Sequence, residues 1–163
     1  MELPIRDSYV VREGLLAGEY PGAREPAEAE RRLAAFRHVG VSVFVDLTHP
    51  ADTLEPYDHL LGGGRRIAHP IVDLSTTTIP HMARILDDVD AALDAGERVY
   101  VHCWGGIGRT GTVVGCWLVR HALDGGDPIG RIAELRRLVL DSFMPSPQTT
   151  AQRRMVTEWK RGR

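Results

Sequence analysis

The sequence is poor in cysteine and in long apolar segments. Only two of its 163 residues are cysteine, Cys103 and Cys116, which is too few for a disulfide framework. Neither cysteine is spaced with histidine as zinc ligands are, so we expect no metal site. No apolar run reaches membrane-spanning length, and the N-terminal segment lacks the apolar core of a signal peptide. We therefore expect a reduced, cytoplasmic setting and no membrane partner.

Lysine is also scarce, because nineteen arginines accompany Lys160 as the single lysine. With 22 acidic residues, the formal net charge is −2, which gives no overall attraction to nucleic acid or to anionic lipid. We therefore expect no nucleic-acid partner. A hydrophobic share of 43% and a charged share of 26% are typical of a globular protein. The length predicts one domain, spanning residues 1–163.

Predicted strands and helices alternate along the chain. The strands fall within 9–17, 41–46, 66–72 and 98–102, and the helices span 26–38, 53–61, 80–95, 109–123, 128–140 and 147–161. The segment 109–123 is almost wholly apolar, so its helix should be buried at the centre. Ser146 and Pro147 suggest an N-cap and a first-turn proline for the last helix. This alternation predicts an α/β fold with a central, mostly parallel sheet flanked by helices.

The most informative segment joins a predicted strand to the apolar helix. It reads His-Cys-Trp-Gly-Gly-Ile-Gly-Arg-Thr-Gly over residues 102–111. Glycines in such a turn let successive backbone N–H groups point inward, and the helix N-terminus adds partial positive charge, which together favour an anion. The loop residues that would surround a phosphate are Trp104, Gly105, Gly106, Ile107 and Gly108, and Arg109 can offer a planar fork to two of its oxygens.

The same positive environment should act on the thiol of Cys103. A cysteine at a helix N-terminus beside a guanidinium is held as the thiolate, the form that acts as a nucleophile. A thiolate in a phosphate cradle can attack phosphorus and form a phosphocysteine. Thr110, one residue into the helix, can donate a hydrogen bond to the sulfur when that intermediate breaks down.

Residues 102–111 resemble the signature loop of the protein tyrosine phosphatase superfamily, His-Cys-x5-Arg-Ser/Thr. The pattern is closest to the small dual-specificity-like members, and it is similar to the loop of the cyclin-dependent-kinase-associated phosphatase. The resemblance is looser over about residues 45–160. It implies the family fold, hydrolysis of phosphate monoesters without a metal or another cofactor, and a phosphorylated protein or small phosphoester as partner.

Phosphoryl transfer to sulfur expels an oxyanion that needs a proton, so a carboxylic acid should face Cys103 across the phosphate. Asp73 follows a predicted strand, and one βαβ unit fits between it and Cys103. Parallel strands end at the same edge of a sheet, so both residues should line one crevice. The segment around Asp73 also resembles the acid loop of the family. Asp46 ends another strand, and we interpret it as structural.

Four further residues have predicted roles. The C-terminal segment resembles the family's Pro-x-Thr-x-x-Gln, in which Gln positions the hydrolytic water; Gln152 is the better match and Gln148 the alternative. Arg136 lies in a Leu-Arg pair similar to one of the family, and we expect it to tie the last helices to the signature loop. His102 should organise that loop by hydrogen bonding, since a thiolate needs no base.

Other functions remain open at this point. The chain could be a catalytically weak phosphate-binding module, although the intact Cys103 and Arg109 argue against it. A phosphoinositide phosphatase of the superfamily carries loop lysines, which this loop lacks. An RNA 5′-phosphatase would need more positive charge around the site. A sulfurtransferase also uses a loop cysteine, but the His before Cys103 and the Arg-Thr-Gly after the loop favour the phosphatase.

Overall fold

The structure is a computed structural model that describes residues 3–163. Its five-stranded sheet has the strand order β1-β2-β5-β3-β4. The strands are β1 (Ser8–Arg12), β2 (Leu15–Gly18), β3 (Val43–Asp46), β4 (Arg65–Ala68) and β5 (Val99–His102). Only the β1–β2 pair is antiparallel among these strands, since β2–β5, β5–β3 and β3–β4 all run parallel. The predicted α/β fold with a mostly parallel sheet is confirmed.

Five α-helices flank this sheet in the described part of the chain. They are α1 (Pro26–His38), α2 (Ile79–Asp94), α3 (Arg109–Arg120), α4 (Pro128–Leu135) and α5 (Thr150–Thr157). Every residue of α3 except the last is buried, as its apolar sequence predicts. Over residues 3–163, none of the helices has the length and apolar character needed to cross a membrane.

Helices cover both faces of the sheet. Because side chains alternate along a strand, β3 and β5 each contribute to two cores. Val45 and Val101 point to the larger core, which α2 and α3 complete. Phe44 and Tyr100 point to the smaller one, where the ring of Phe36 from α1 lies 4.4 Å, centroid to centroid, from that of Tyr100.

One predicted segment near the middle of the chain differs from the structure. Residues 53–61 do not form a helix; instead two short 3₁₀ turns, Pro50–Asp52 and Asp58–Leu60, flank an irregular stretch. Thr53 has a φ of 51°, in the left-handed region that ends a right-handed turn. Pro56 then removes a backbone donor that a helix would need.

The C-terminal helices are shorter than the sequence suggests. α4 ends at Leu135, and the buried side chain of the next residue, Arg136, donates to Asp141 and to the Met144 carbonyl. The predicted N-cap of the last helix is wrong. Ser146 donates its hydroxyl elsewhere, and α5 begins with a capping box in which Thr149 bonds the Gln152 N–H and Gln152 bonds back.

The parallel register fixes where a site can form. Asp46 lies beside His102 on one side and Ala68 on the other, so β3, β4 and β5 end at the same edge of the sheet. The segments that leave these ends carry Asp52, Asp73 and Cys103.

Candidate active site

The segments that follow β4 and β5 meet at a small cavity of about 180 Å³. Its walls are formed by Asp73, Cys103, Trp104, Gly105, Ile107, Gly108 and Gln148. Cys103 is only 3% exposed, whereas Trp104 beside it is 56% exposed and forms part of the rim. The structure therefore brings the nucleophile and acid candidates of the sequence to one cavity.

The floor of this cavity is the loop between β5 and α3. Within the described chain, no carbonyl or side chain accepts a hydrogen bond from the backbone N–H groups of residues 104–108. α3 begins at Arg109, so its N-terminus and partial positive charge lie at the same place. Unpaired N–H groups at a helix N-terminus form a site for an anion such as phosphate.

Contacts from distant segments hold the loop in shape. The Tyr20 N–H donates to the Trp104 carbonyl at 2.8 Å, and the Ser146 hydroxyl donates to the Ile107 carbonyl at 2.6 Å. Gly106 has a φ of 72°, and a side chain there would collide with the backbone of Gly18. The Ser146 contact has no signal of its own in the sequence, because a serine before a proline also fits a helix cap.

Arg109 joins the loop to two acidic residues from other segments. It is 1% exposed, and its Nη1 donates to the Asp52 carboxylate at 2.7 Å and to the Ile71 carbonyl at 3.0 Å. Its Nη2 lies 3.2 Å from the Asp73 carboxylate. Its Nε is buried without a hydrogen-bond partner among the described residues. A buried unpartnered donor is costly, so an anion that accepts from Nε would be stabilised here.

Asp52 is a site residue that the sequence analysis missed. Its carboxylate also accepts from the His49 N–H at 3.0 Å, so the short turn Pro50–Asp52 fixes it opposite Arg109. In the sequence, Asp52 is recognisable only as part of the turn-forming segment 49–52. No local pattern relates it to Arg109, which is 57 positions further along the chain.

Asp73 lies at the rim, with a side chain that is 47% exposed. The segment that follows it is attached to α5, because the Gln152 side-chain amide donates to the Ser75 carbonyl at 3.1 Å. The carbonyl oxygen of that amide accepts from the N–H groups of Gln148 and Thr149, both at 3.1 Å. Gln152 is thus fully buried with its amide engaged, whereas Gln148 lines the cavity. Water positioning by Gln152 stays a prediction.

His102 is completely buried behind the nucleophile. Its Nε2 lies 2.7 Å from the Tyr57 hydroxyl and its Nδ1 lies 3.2 Å from the Cys103 carbonyl. Burial lowers the pKa of His102, although nearby Asp46 acts in the opposite direction. Asp46 accepts from the backbone N–H and hydroxyl of Thr48, which agrees with a structural role. Burial thus favours the uncharged imidazole, and organisation of the loop by His102 stays a prediction.

The contacts of Arg136 differ from those that the sequence predicts, and the contacts of Thr110 leave its predicted role open. Arg136 is buried, but its hydrogen bonds go to Asp141 and Met144 rather than to the signature loop. The tie between that loop and the C-terminal segment comes from Ser146 instead. Thr110 is fully buried, and its hydroxyl lies 3.5 Å from the Gly18 carbonyl, too far for a strong hydrogen bond. Donation from Thr110 to the sulfur stays a prediction.

Comparisons with known proteins agree with this geometry. A family model described as "Polymorphic toxin system, DSP-PTPase phosphatase" matches residues 19–123. The chain is 32% identical over 118 residues to protein 067L of Invertebrate iridescent virus 3, which is described as a candidate tyrosine phosphatase. That match covers 68% of this chain but only 45% of the viral protein, so the chain spans less than half of this relative.

Solved phosphatase structures share the fold. The active form of Tk-PTP superposes with a TM-score of 0.74 at 22% identity, over 94% of this chain and 96% of that one. Kinase-associated phosphatase, with its catalytic cysteine replaced by serine, gives a TM-score of 0.74 at 20% identity, over 93% and 91%. With the family match over residues 19–123, the chain belongs to the DSP-PTPase phosphatases, the small dual-specificity-like branch of the protein tyrosine phosphatase superfamily.

Proposed function

We propose that this chain hydrolyses phosphate monoesters, namely phosphotyrosine together with phosphoserine and phosphothreonine in proteins, through a phosphocysteine intermediate. The observation that carries the proposal is the cavity that Cys103 and Asp73 share, with Arg109 bonded to Asp73 beside it. We treat residues 1–163 as one catalytic domain. A reducing compartment such as the cytoplasm would keep the Cys103 thiol free for this chemistry.

In the first step, the Cys103 thiolate attacks phosphorus, so an S–P bond forms and the P–O bond to the leaving group breaks. The loop N–H groups and the free Nε of Arg109 bind the phosphoryl oxygens, whose charge they balance. Asp73 gives its proton to the departing oxygen. The products of this step are a neutral alcohol or phenol, the phosphocysteine and the Asp73 carboxylate.

In the second step, a water molecule attacks the phosphorus of the phosphocysteine. The Asp73 carboxylate takes the proton from that water, the S–P bond breaks, and inorganic phosphate and the thiolate are released. Thr110 would donate to the sulfur as it leaves. Gln148 is better situated than Gln152 to hold the water, because it lines the cavity while the Gln152 amide is engaged by the Thr149 N–H and the Ser75 carbonyl.

The small cavity supports a broad range of phosphoesters. A volume of about 180 Å³ accommodates a phosphoryl group and the oxygen that carries it, but not a whole drug-sized ligand. The rest of a substrate would then lie outside the cavity, where Trp104 and the two sequence neighbours of Asp73, Val72 and Leu74, are all more than half exposed. An apolar rim suits the ring of a phosphotyrosine, and its openness does not exclude shorter side chains. A phosphoinositide is disfavoured because no lysine stands in the loop.

Replacement of Asp73 by asparagine tests the mechanism. We expect Asp73→Asn to lower kcat on p-nitrophenyl phosphate by about a hundredfold to ten-thousandfold, because the amide has no proton to give and none to take. Steady-state kinetics with EDTA present measure the effect. Asp87→Asn, on the exposed side of α2, is the control and should keep the wild-type rate. A wild-type rate for Asp73→Asn would remove this residue from the mechanism.

Asp52 should matter through the orientation of Arg109. We expect Asp52→Asn to lower kcat/KM for p-nitrophenyl phosphate by about tenfold to a hundredfold, because the guanidinium loses the charge that fixes it. Kinetics and thermal unfolding of the same variant separate this effect from loss of the fold. Asp58→Asn, which removes an exposed partner of Arg66, is the control. An unchanged kcat/KM for Asp52→Asn would show that its ion pair does not orient Arg109.

A further inference from the structure

A chain of hydrogen bonds closes the base of the segment that carries Asp73. His69 lies just before this segment and His81 lies just after it, in the first turn of α2. The two imidazoles are joined by a hydrogen bond of 3.2 Å between His69 Nδ1 and His81 Nε2. His69 Nε2 lies 2.7 Å from the Asp88 carboxylate, and the Thr77 hydroxyl lies 2.6 Å from His81 Nδ1.

When both imidazoles are neutral, the chemistry of these groups gives every hydrogen bond one direction. An ionised carboxylate only accepts, so His69 Nε2 carries the hydrogen that Asp88 receives. A neutral His69 then accepts at Nδ1, and His81 must donate to it from Nε2. A neutral His81 accepts in turn at Nδ1, so the Thr77 hydroxyl donates. All four groups are satisfied with both imidazoles neutral.

The surroundings of His81 favour this neutral form. Burial lowers the pKa of His81, and the neighbouring His69 and Arg84 lower it further. The chain of hydrogen bonds is complete when each imidazole carries a single proton. A residue needed only to start α2 would not require this network, because Thr78 already caps the helix by accepting from the His81 N–H.

Residues 70–80 have three other hydrogen-bonded anchors near Asp73 in the described chain. Before Asp73, the Ile71 N–H donates to the Leu47 carbonyl at 3.1 Å and the Ile71 carbonyl accepts from Arg109 at 3.0 Å. After Asp73, the Ser75 carbonyl accepts from the Gln152 amide at 3.1 Å. Among the described residues, Asp73 forms an ion pair with Arg109 alone. These contacts hold the parts of the segment next to Asp73, and its position over the cavity depends also on the two ends of the segment staying together.

We propose that His69 and His81 are positioning residues that hold Asp73 over Cys103 by closing the base of residues 70–80. This inference rests on the proposed function, in which Asp73 protonates the leaving group. When the imidazole pair is broken, the segment opens and Asp73 loses its alignment with the leaving oxygen. Attack by the thiolate and binding of the phosphoryl group remain, because neither requires Asp73.

The leaving group distinguishes this role from a general structural one. Phenolate is a poor leaving group that needs a proton, whereas the nitro group lets p-nitrophenolate depart with less help. The value of kcat/KM covers all steps up to departure of the leaving group. The ratio of kcat/KM for phenyl phosphate to that for p-nitrophenyl phosphate therefore reports how well Asp73 is placed.

Two replacements of His81 that differ by one methylene provide the test. The amide of His81→Gln reaches the position of Nε2 and can donate to His69, whereas the shorter amide of His81→Asn reaches only the position of Nδ1. We expect His81→Asn to lower kcat/KM for phenyl phosphate by about tenfold to a hundredfold, and that for p-nitrophenyl phosphate by less than about threefold. His81→Gln should recover most of the wild-type ratio. His59→Asn, on an exposed 3₁₀ turn, is the control.

A double variant links the effect to Asp73. Asp73→Asn alone should lower the ratio further than His81→Asn, and adding His81→Asn to it should change the ratio by less than about twofold. Equal losses on both substrates, no loss, or a further loss in the double variant would each overturn the proposal. If Asp73→Asn leaves the ratio unchanged, the proposed acid itself is wrong; if only His81→Asn does so, the positioning role alone is wrong. Thermal unfolding confirms that each variant is folded.

Discussion

Replacement of Cys103 by serine is expected to abolish hydrolysis of p-nitrophenyl phosphate, lowering kcat by about 10⁴-fold to 10⁶-fold. A serine hydroxyl has the size to occupy the same place, but it is not ionised at neutral pH and no base stands ready to activate it. His102 cannot act as that base, because its Nε2 is bonded to Tyr57 and its Nδ1 faces the Cys103 carbonyl. The assay contains EDTA, since the family resemblance implies hydrolysis without a metal.

The second cysteine of the chain supplies the matched control. Cys116 is fully buried inside α3, away from the cavity, and burial raises the pKa of its thiol. We expect Cys116→Ala to keep kcat within about threefold of the wild-type value while costing some thermal stability. Equal activity of Cys103→Ser and the wild type would show that the sulfur is not the nucleophile.

Alkylation examines the state of the two thiols directly. Iodoacetamide should modify Cys103 at neutral pH and leave Cys116 unmodified, because only Cys103 lines an open cavity. Phosphate or tungstate should protect Cys103 by filling the ring of loop N–H groups. Modification that is slow and insensitive to these anions would contradict the proposed anion site, and it would favour an inert cysteine in a glycine-rich turn.

The sequence predicts those parts of the site that are contiguous or that follow from sheet topology. Cys103 and Arg109 are recognisable because strand, glycines and helix start occur in one short segment. Asp73 is recognisable because parallel strands joined by a helix end at the same edge, which the register of β3, β4 and β5 confirms. Local pattern and handedness are sufficient for these residues.

The missed residues act through contacts between distant parts of the chain. Three of these contacts are hydrogen bonds between residues far apart in the sequence. The separations are 57 positions for Asp52 and Arg109, 45 for Tyr57 and His102, and 39 for Ser146 and Ile107. None of these pairs has a local signature, because the sequence around Asp52, Tyr57 and Ser146 suggests only a turn, a short helix and a helix cap. Packing of the loops at the sheet edge decides such pairs, and a single sequence carries no direct signal of them.

The fold was mispredicted where polar side chains bind other segments instead of their own helix. Helical periodicity continues past Leu135, yet Arg136 turns inward to Asp141 and the chain folds back on itself. The sequence also suggests Ser146 as a helix cap, but its hydroxyl donates to the Ile107 carbonyl. The N-cap of α5 is instead Thr149, with a capping box. Intrinsic propensity is a weak guide where such tertiary contacts compete with it.

Arg109 should prove nearly as important as the nucleophile. We expect Arg109→Ala, and also Arg109→Lys, to lower kcat/KM for p-nitrophenyl phosphate by about 10³-fold to 10⁵-fold. Lysine keeps the positive charge but has no planar fork, so it cannot serve Asp52, the Ile71 carbonyl and a phosphate at the same time. Arg65→Lys, on the exposed edge strand β4, is the matched control and should keep the wild-type kcat/KM.

Vanadate inhibition separates two roles of the Arg109 guanidinium, which are to bind the transferring phosphoryl group and to hold Asp52 and Asp73 in place. Vanadate adopts the five-coordinate geometry of the phosphorus being transferred, so its binding reports stabilisation of that state by Arg109. If the buried Nε is the donor to the transferring group, as its lack of a partner suggests, both Arg109 variants should lose vanadate affinity by nearly the factor that they lose in kcat/KM. If Arg109 served only to hold Asp52 and Asp73 in place, Arg109→Lys would bind vanadate almost as tightly as the wild type, and the assignment of this residue to phosphate would be wrong.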